Sequence, residues 1–232
     1  MPASRRAAVG ALIAALFLGG AGGEAPAARY DRLFAAHDYG ALATELKQGV
    51  ESKDTAPSTL AWEQQRFAAG SSVFVGALYA LQLAGAAAET KDAAALAKIR
   101  ANAAIVALYT MAAIETDGVK CAEPAAQAAR RRQFVQLLTP VWIELRKLPD
   151  DAVAAALGQA LGAEKALAPA RAPDDYLCRG LTADIPELVA ADAKAVAPHF
   201  LAPADWTPRA EAVRAKLPAL MTEFAVRVKS GS

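Results

Sequence analysis

Between Arg66 and Glu89 the chain carries no charged residue, and from Asn102 to Ile114 it is again almost wholly apolar. Two such stretches, close together in sequence, admit two physical solutions. They form either a hairpin through a bilayer or a pair of helices enclosed on most sides by protein. A membrane span needs roughly 20 predominantly apolar residues, and the second stretch is far shorter. Ser71, Ser72, Gln82 and the many alanines leave the first only weakly hydrophobic. The pair is therefore read as core helices.

Small residues set how the two helices meet. Ser72, Gly76, Ala80, Ala84 and Ala88 recur at every fourth position, and residues four apart lie on one helical face. That face lacks large side chains and lets a neighbouring backbone approach closely. Ala103, Ala107 and Ile114 supply a matching low-relief stripe on the second helix, while Val73, Phe74, Tyr79, Leu81 and Leu83 lie on other faces. The expectation is a central antiparallel hairpin rich in Ala and Gly.

The composition extends this reading to the whole chain. It is 55 % hydrophobic but only 6 % aromatic, because alanine, the best helix former, supplies most of the apolar content. Alternating runs of Val, Ile, Thr and aromatic residues, the mark of half-buried strands, are absent. Caps and breakers give an all-α helical bundle of about seven to eight helices. The first spans Arg29 to Ala36, and Asp38 caps a second to about Val50. A long helix is expected from Thr59 to Glu89, then one capped by Asp92 that stops at Asp117-Gly118. Pro124 opens the next, Pro140 breaks it after Leu138, and Pro149-Asp150 starts another that ends near Leu167. Asp174 opens a short helix carrying Cys178, Asp184 and Pro186 mark a further start, and Thr207-Pro208 caps a C-terminal helix in which Pro218 is expected to cause a bend.

The N-terminus has the three parts of a secretory signal peptide. Arg5 and Arg6 form a basic head, Ala7 to Leu18 an uncharged run, and Gly19 and Ala21 the small residues before a cut. Residues 1–21 are read as the signal peptide, with cleavage after Ala21 and Ala25 as the competing site. Residues 22–232 are then a single all-α domain, of which 174–232 is a candidate semi-independent extension. No transmembrane span is expected in the mature chain, and the protein is placed in the periplasm or the secreted space.

Two cysteines in an exported chain are most simply one disulfide, and Cys121 and Cys178 are spaced too widely for CxxC redox or haem motifs. Closing the loop between them stabilises a fold by roughly 4 kcal/mol in the chain-entropy treatment. The densest charges flank this bridge: Arg130, Arg131 and Arg132 on one side, Asp174, Asp175 and Arg179 on the other. They form either an ordinary ion-pair network or an anion site built from guanidinium forks, which suit carboxylate and phosphate.

Other chemistry finds little footing. The chain has 25 basic and 24 acidic residues, which argues against the strongly basic footprint of a nucleic-acid binder. His37 and His199 have no second histidine or cysteine at ligand spacing, so no metal site is expected. GxSxG, GxxxxGK[ST] and GxGxxG are missing, and no cofactor is called for. Glu51-Ser52 matches the catalytic Glu-Ser of helical lytic transglycosylases, but the Gly-Leu-Met-Gln run of that family has no counterpart. The carboxylate pairs Glu115/Asp117 and Asp150/Asp151 stand at helix ends, where acids cap or stay hydrated. The expected function is a non-catalytic binding or interaction module of a bacterial-type cell envelope, with an envelope protein or small ligand as its partner. The alternatives are an envelope hydrolase or lyase using carboxylates, and a small-molecule or metal carrier. Intact mass of protein purified from the exporting cell is expected to begin at Gly22 and to gain two hydrogens on reduction. An unchanged mass under reductant would refute the disulfide.

Overall fold

The computed structural model describes residues 24–179 and 199–231. The predicted signal peptide and the helix start at Asp184 and Pro186 lie outside these residues. Within them the chain is all-helical, with no named strand. The helices are α1 (Pro26–Ala35), α2 (Tyr39–Glu51), α3 (Ala56–Ala68), α4 (Val73–Glu89), α5 (Ala93–Asp117), α6 (Pro124–Leu137), α7 (Thr139–Arg146), α8 (Asp150–Leu167), α9 (Asp175–Cys178) and α10 (Pro203–Ser230). Single 3-10 turns follow α5 at Gly118–Lys120 and α8 at Ala168–Ala170.

The axis of the fold is α5, packed by α4, α6, α7, α8 and α10. It is long and apolar enough to cross a bilayer, yet most of its apolar window is enclosed by these neighbours. Ala103, Ala107 and Ile114 are all fully buried, as the low-relief stripe requires. Against them lies α4, and the closest approach is at Gly76, where a Cβ would fall 2.6 Å from Thr110 Oγ1. That hydroxyl is itself held, donating to Val106 O at 2.8 Å. The hairpin is therefore as predicted, and the stripe on α4 holds at Gly76, Ala80 and Ala84 but not at Ala88. Steps of four residues advance about 40° per step on a helix of 3.6 residues per turn, so the series drifts off the contact. Gly76, Ala80 and Ala84 are buried, then Ala87 takes the place of Ala88, which is exposed.

Two boundaries depart most from expectation, each for a local reason. The long helix expected from Thr59 to Glu89 is two helices, because Gly70 adopts a left-handed φ of 64°. Its N–H donates to Phe67 O at 2.9 Å and that of Ser71 to Arg66 O at 3.1 Å, the paired bonds of a Schellman stop. Ser72 then caps α4 by accepting from Phe74 N at 3.1 Å. His37 makes the same kind of stop after α1, with φ 54° and a bond to Phe34 O at 3.0 Å, while Asp38 N reaches Leu33 O. At the C-terminus, α10 starts at Pro203 and not after Thr207-Pro208. Both prolines suit a first turn; the chain uses the earlier, and the Thr207 hydroxyl donates to Pro203 O at 2.6 Å. The break between α6 and α7 falls where Pro140 is expected to make it, and the stop at Gly70 adds a helix to the expected set.

The staple is present. Cys121 and Cys178 are bonded and nearly inaccessible, which fits an oxidising compartment. Beside it, Ala122 N donates to His199 O at 2.9 Å and Leu201 N to Lys120 O at 2.8 Å, a single antiparallel bridge at Cys121 and Phe200. The residues that lead into α10 are thus anchored next to the disulfide. Gly76→Leu should overpack the α4–α5 contact and cost about 1–3 kcal/mol. Gly85, on the same helix, has nothing within 4 Å of its would-be Cβ, so Gly85→Ala should gain up to about 1 kcal/mol from helix propensity. Urea unfolding of the two variants checks both signs, and unchanged stability in the first would sink the close-packing assignment.

Candidate functional site

The charges around the staple separate into groups with different surroundings. Arg130, Arg131 and Arg132 are consecutive on α6, so their side chains leave the helix about 100° apart. Arg132 is exposed and makes no ion pair among the described residues. Arg131 pairs with Glu115 of α5. Arg130 is buried and stacks its guanidinium 4.5 Å from the ring centre of Tyr176. It donates to Gln133 Oε1 at 2.8 Å, but its Nε has no partner. Burial pushes its pKa down, against the raising influence of Tyr176 and Asp174.

Arg130 therefore joins the junction at the start of α9, and Arg131 and Arg132 do not. There, Asp174 accepts from Leu177 N at 3.1 Å, capping its own helix, and from Val73 N at 2.7 Å, capping α4 as well. Burial raises its pKa, and these two backbone bonds oppose the rise. Asp175 accepts from Arg179 at 2.7 Å and sits 3.1 Å from His37 Nδ1. Tyr39 and Tyr176 stack edge to face at 5.0 Å, with Arg179 over the Tyr39 ring at 5.2 Å. Sequence reading placed the charges of this junction near the disulfide but missed His37, Tyr39 and Tyr176. The first two come from the α1–α2 turn, and no local pattern links that turn to residue 175. Phe74 and Phe134 complete the aromatic cluster around Tyr176.

A second group, unforeseen in the sequence, lies deeper. Arg171 emerges from the loop after α8 with its side chain 2 % exposed. Its Nε donates to Asp117 Oδ2 at 2.6 Å. One terminal nitrogen reaches Glu164 Oε1 at 2.8 Å and Thr116 Oγ1 at 3.0 Å. Lys120, 1 % exposed, closes the group with its ammonium 2.9 Å from Asp117 Oδ1 and 4.9 Å from the centre of the Trp206 ring. Arg214 of α10 adds a longer contact to Glu164 at 3.4 Å. Burial alone would lower the Arg171 pKa, but the charge and hydrogen bonds of Asp117 and Glu164 raise it above its ordinary value. Two acids and two bases are thus fully engaged with one another.

The carboxylate pairs seen in the sequence come apart. Glu115 goes to Arg131 and Asp117 to Arg171, while Asp150 meets Lys229 at 3.4 Å and Asp151 caps Ala152 N at 2.9 Å. Among the described residues no group of three His, Cys, Asp or Glu is placed to hold a metal.

An open notch of about 130 Å³ lies where α10 crosses α5 and α6. Met111, Met221 and Phe224 form its buried floor. The Glu115–Arg131 and Glu223–Arg227 pairs rim it, and Leu220 stands beside it 43 % exposed.

No protein-family model matches the chain, and neither does any curated protein or solved structure. Its surfaces are therefore read from their own chemistry. Arg171→Met leaves Asp117 and Glu164 as buried, underpaired charges and should cost about 3–5 kcal/mol. Arg132→Ala should stay within about 0.5 kcal/mol of wild type. Paired urea titrations test this, and equal effects of the two changes would contradict the assignment.

Proposed function

We propose that the chain is an exported, non-catalytic interaction module of the cell envelope that seats one side chain of a partner protein in the notch between α5, α6 and α10. The size of that notch carries the reading. At about 130 Å³ it falls well short of the roughly 300–1,000 Å³ of small-molecule pockets and suits a single side chain. Its layout, an apolar floor inside a rim of ion pairs, resembles the anchor pockets of protein interfaces, where a buried centre is fenced from water by polar contacts. Leu220 extends the apolar surface onto the exposed side of α10.

Two further observations support the parts of this reading. Export fits the basic head and apolar run of the N-terminus together with a disulfide that oxidising compartments sustain. A non-catalytic role fits the Arg171 cluster, whose buried charges are engaged with each other. The His37–Asp175 contact would be the starting point for an acid–base enzyme, but its carboxylate is also bound by Arg179.

Site-specific photo-crosslinking in the exporting cell tests the proposal. A photoreactive side chain at position 220 should give a discrete adduct. The same probe at exposed Ala94, about 25 Å along α5 from Met111, should not. The adduct mass distinguishes another protein from a second copy of this chain. No adduct at 220, or equal labelling at both positions, would overturn the reading.

A further inference from the structure

Glu63 stands on the face of α3 that meets α4, and it is 0 % exposed. Neither of its carboxyl oxygens has a hydrogen-bond partner. The neighbouring group across the contact is the Gln82 amide of α4, whose Oε1 is likewise buried and unpartnered. Each of these three buried oxygens is an acceptor without a donor. An ionised carboxylate in such a place would be both desolvated and unpaired, the arrangement that protein interiors least tolerate. A carboxylic acid supplies the missing donor, because its O–H can be given to Gln82 Oε1.

The charges of the surrounding elements are committed elsewhere. Asp31 of α1 accepts from Trp62 at 2.7 Å and from Arg66 at 2.5 Å, and Tyr30 of α1 bonds Thr59 at 3.0 Å. Glu45 of α2 pairs with Arg29, and Glu51 lies 4.0 Å from Lys47. On α4 burial pushes the pKa of the half-buried Tyr79 phenol up, and a charge on Glu63 would add to the rise. Among the described residues no cation acts on Glu63; burial drives its pKa well above the carboxylate range, opposed by the Gln82 amide.

We propose that Glu63 is kept as the neutral acid and that its proton operates the contact between α3 and α4. With the proton bound, the acid bridges to Gln82 and α3 lies against the α4–α5 hairpin. When the proton passes to bulk water, the carboxylate must reach solvent, and α3 lifts to let it. Gly70, the left-handed stop between the two helices, is the point about which that movement turns. Trp62 and Arg66 of α3 donate to Asp31 of α1, so α1 moves with α3, while contacts of Tyr39 with Phe74 and Tyr176 hold the start of α2 in place.

The sign follows from linkage. The folded chain keeps a proton that an unfolded glutamate, with its ordinary value of 4.5, has already released. The contact is therefore firmest below that value and weakens as pH rises, until the buried acid itself ionises.

Hydrogen exchange of residues 56–68, compared at matched pH between wild type and Glu63→Gln, reads this directly. The ratio of opening in wild type to that in the variant should climb with pH by up to about tenfold per unit and then level off. The same ratio over α8 should stay flat. An infrared difference spectrum of the two proteins at neutral pH should show the carbonyl stretch of one protonated carboxyl group. Gln82→Met, which removes the acceptor but keeps the acid, should lower the pH at which the ratio levels off and leave its onset unchanged. A flat exchange ratio over residues 56–68, or no acid carbonyl band, would overturn the proposal.

Discussion

The guanidinium of Arg171 is the tie on which the rest of the fold depends. It meets the last residues of α5 through Thr116 and Asp117 and the last turn of α8 through Glu164. Lys120 and Arg214 draw in the turn after α5 and the helix α10 at the same point. Two helix ends, a loop and the C-terminal helix thus share one charged node. Removing these ions from water is costly, and their attraction offsets the cost only when almost every donor and acceptor is met. Arg171 meets that demand, since its further contacts include Glu164 O and the Tyr109 hydroxyl, both at 3.4 Å. A node of this kind adds less to net stability than an apolar core of the same volume. Its effect is to fix which elements meet, because a shifted register would strand a buried charge.

The junction around α9 works on the same principle with fewer ions. Asp174 satisfies the first backbone donors of two helices at once, and the aromatic rings of Tyr39, Phe74, Phe134 and Tyr176 fill the space between α2, α4, α6 and α9. A four-residue helix cannot hold its shape through its own hydrogen bonds. Here it is fixed by a cap, a disulfide and a stack of rings.

Much of this architecture is legible in the residues themselves. Asp38, Asp92 and Asp174 cap helices where their chemistry says they should, accepting from Ala41, Ala95 and Leu177. Gly76 and Ala80 announce a close helix contact, and the two cysteines announce their bond. The misreadings share a cause. Gly70 looks tolerable inside a helix, and only its left-handed φ and the two bonds around it show that it ends one. Arg171 stands in a Pro- and Ala-rich stretch that reads as a loop, with nothing local to show that Asp117 and Glu164 converge on it. The arginine run at 130–132 drew attention because it is dense, but a helix sends three consecutive side chains to three places. Pattern along a chain reports local geometry well, and it reports poorly which distant charges a fold brings together.

One feature of the covalent path bears on how the molecule can be taken apart. Both cysteines lie before α10, so the disulfide does not hold that helix. Its attachment is the peptide chain itself, the short bridge at Phe200, and side-chain contacts such as Trp142 with Phe224 and Lys229 with the carbonyls of Arg146 and Leu148. In this sense α10 is a tethered ligand occupying a seat on the other helices. Covalent attachment adds the effect of a high local concentration to these contacts. Without its covalent connection, α10 would turn folding stability into a binding equilibrium that depends on concentration. An intact neighbour offering its own α10 would compete for the same seat, which is the elementary step of domain exchange.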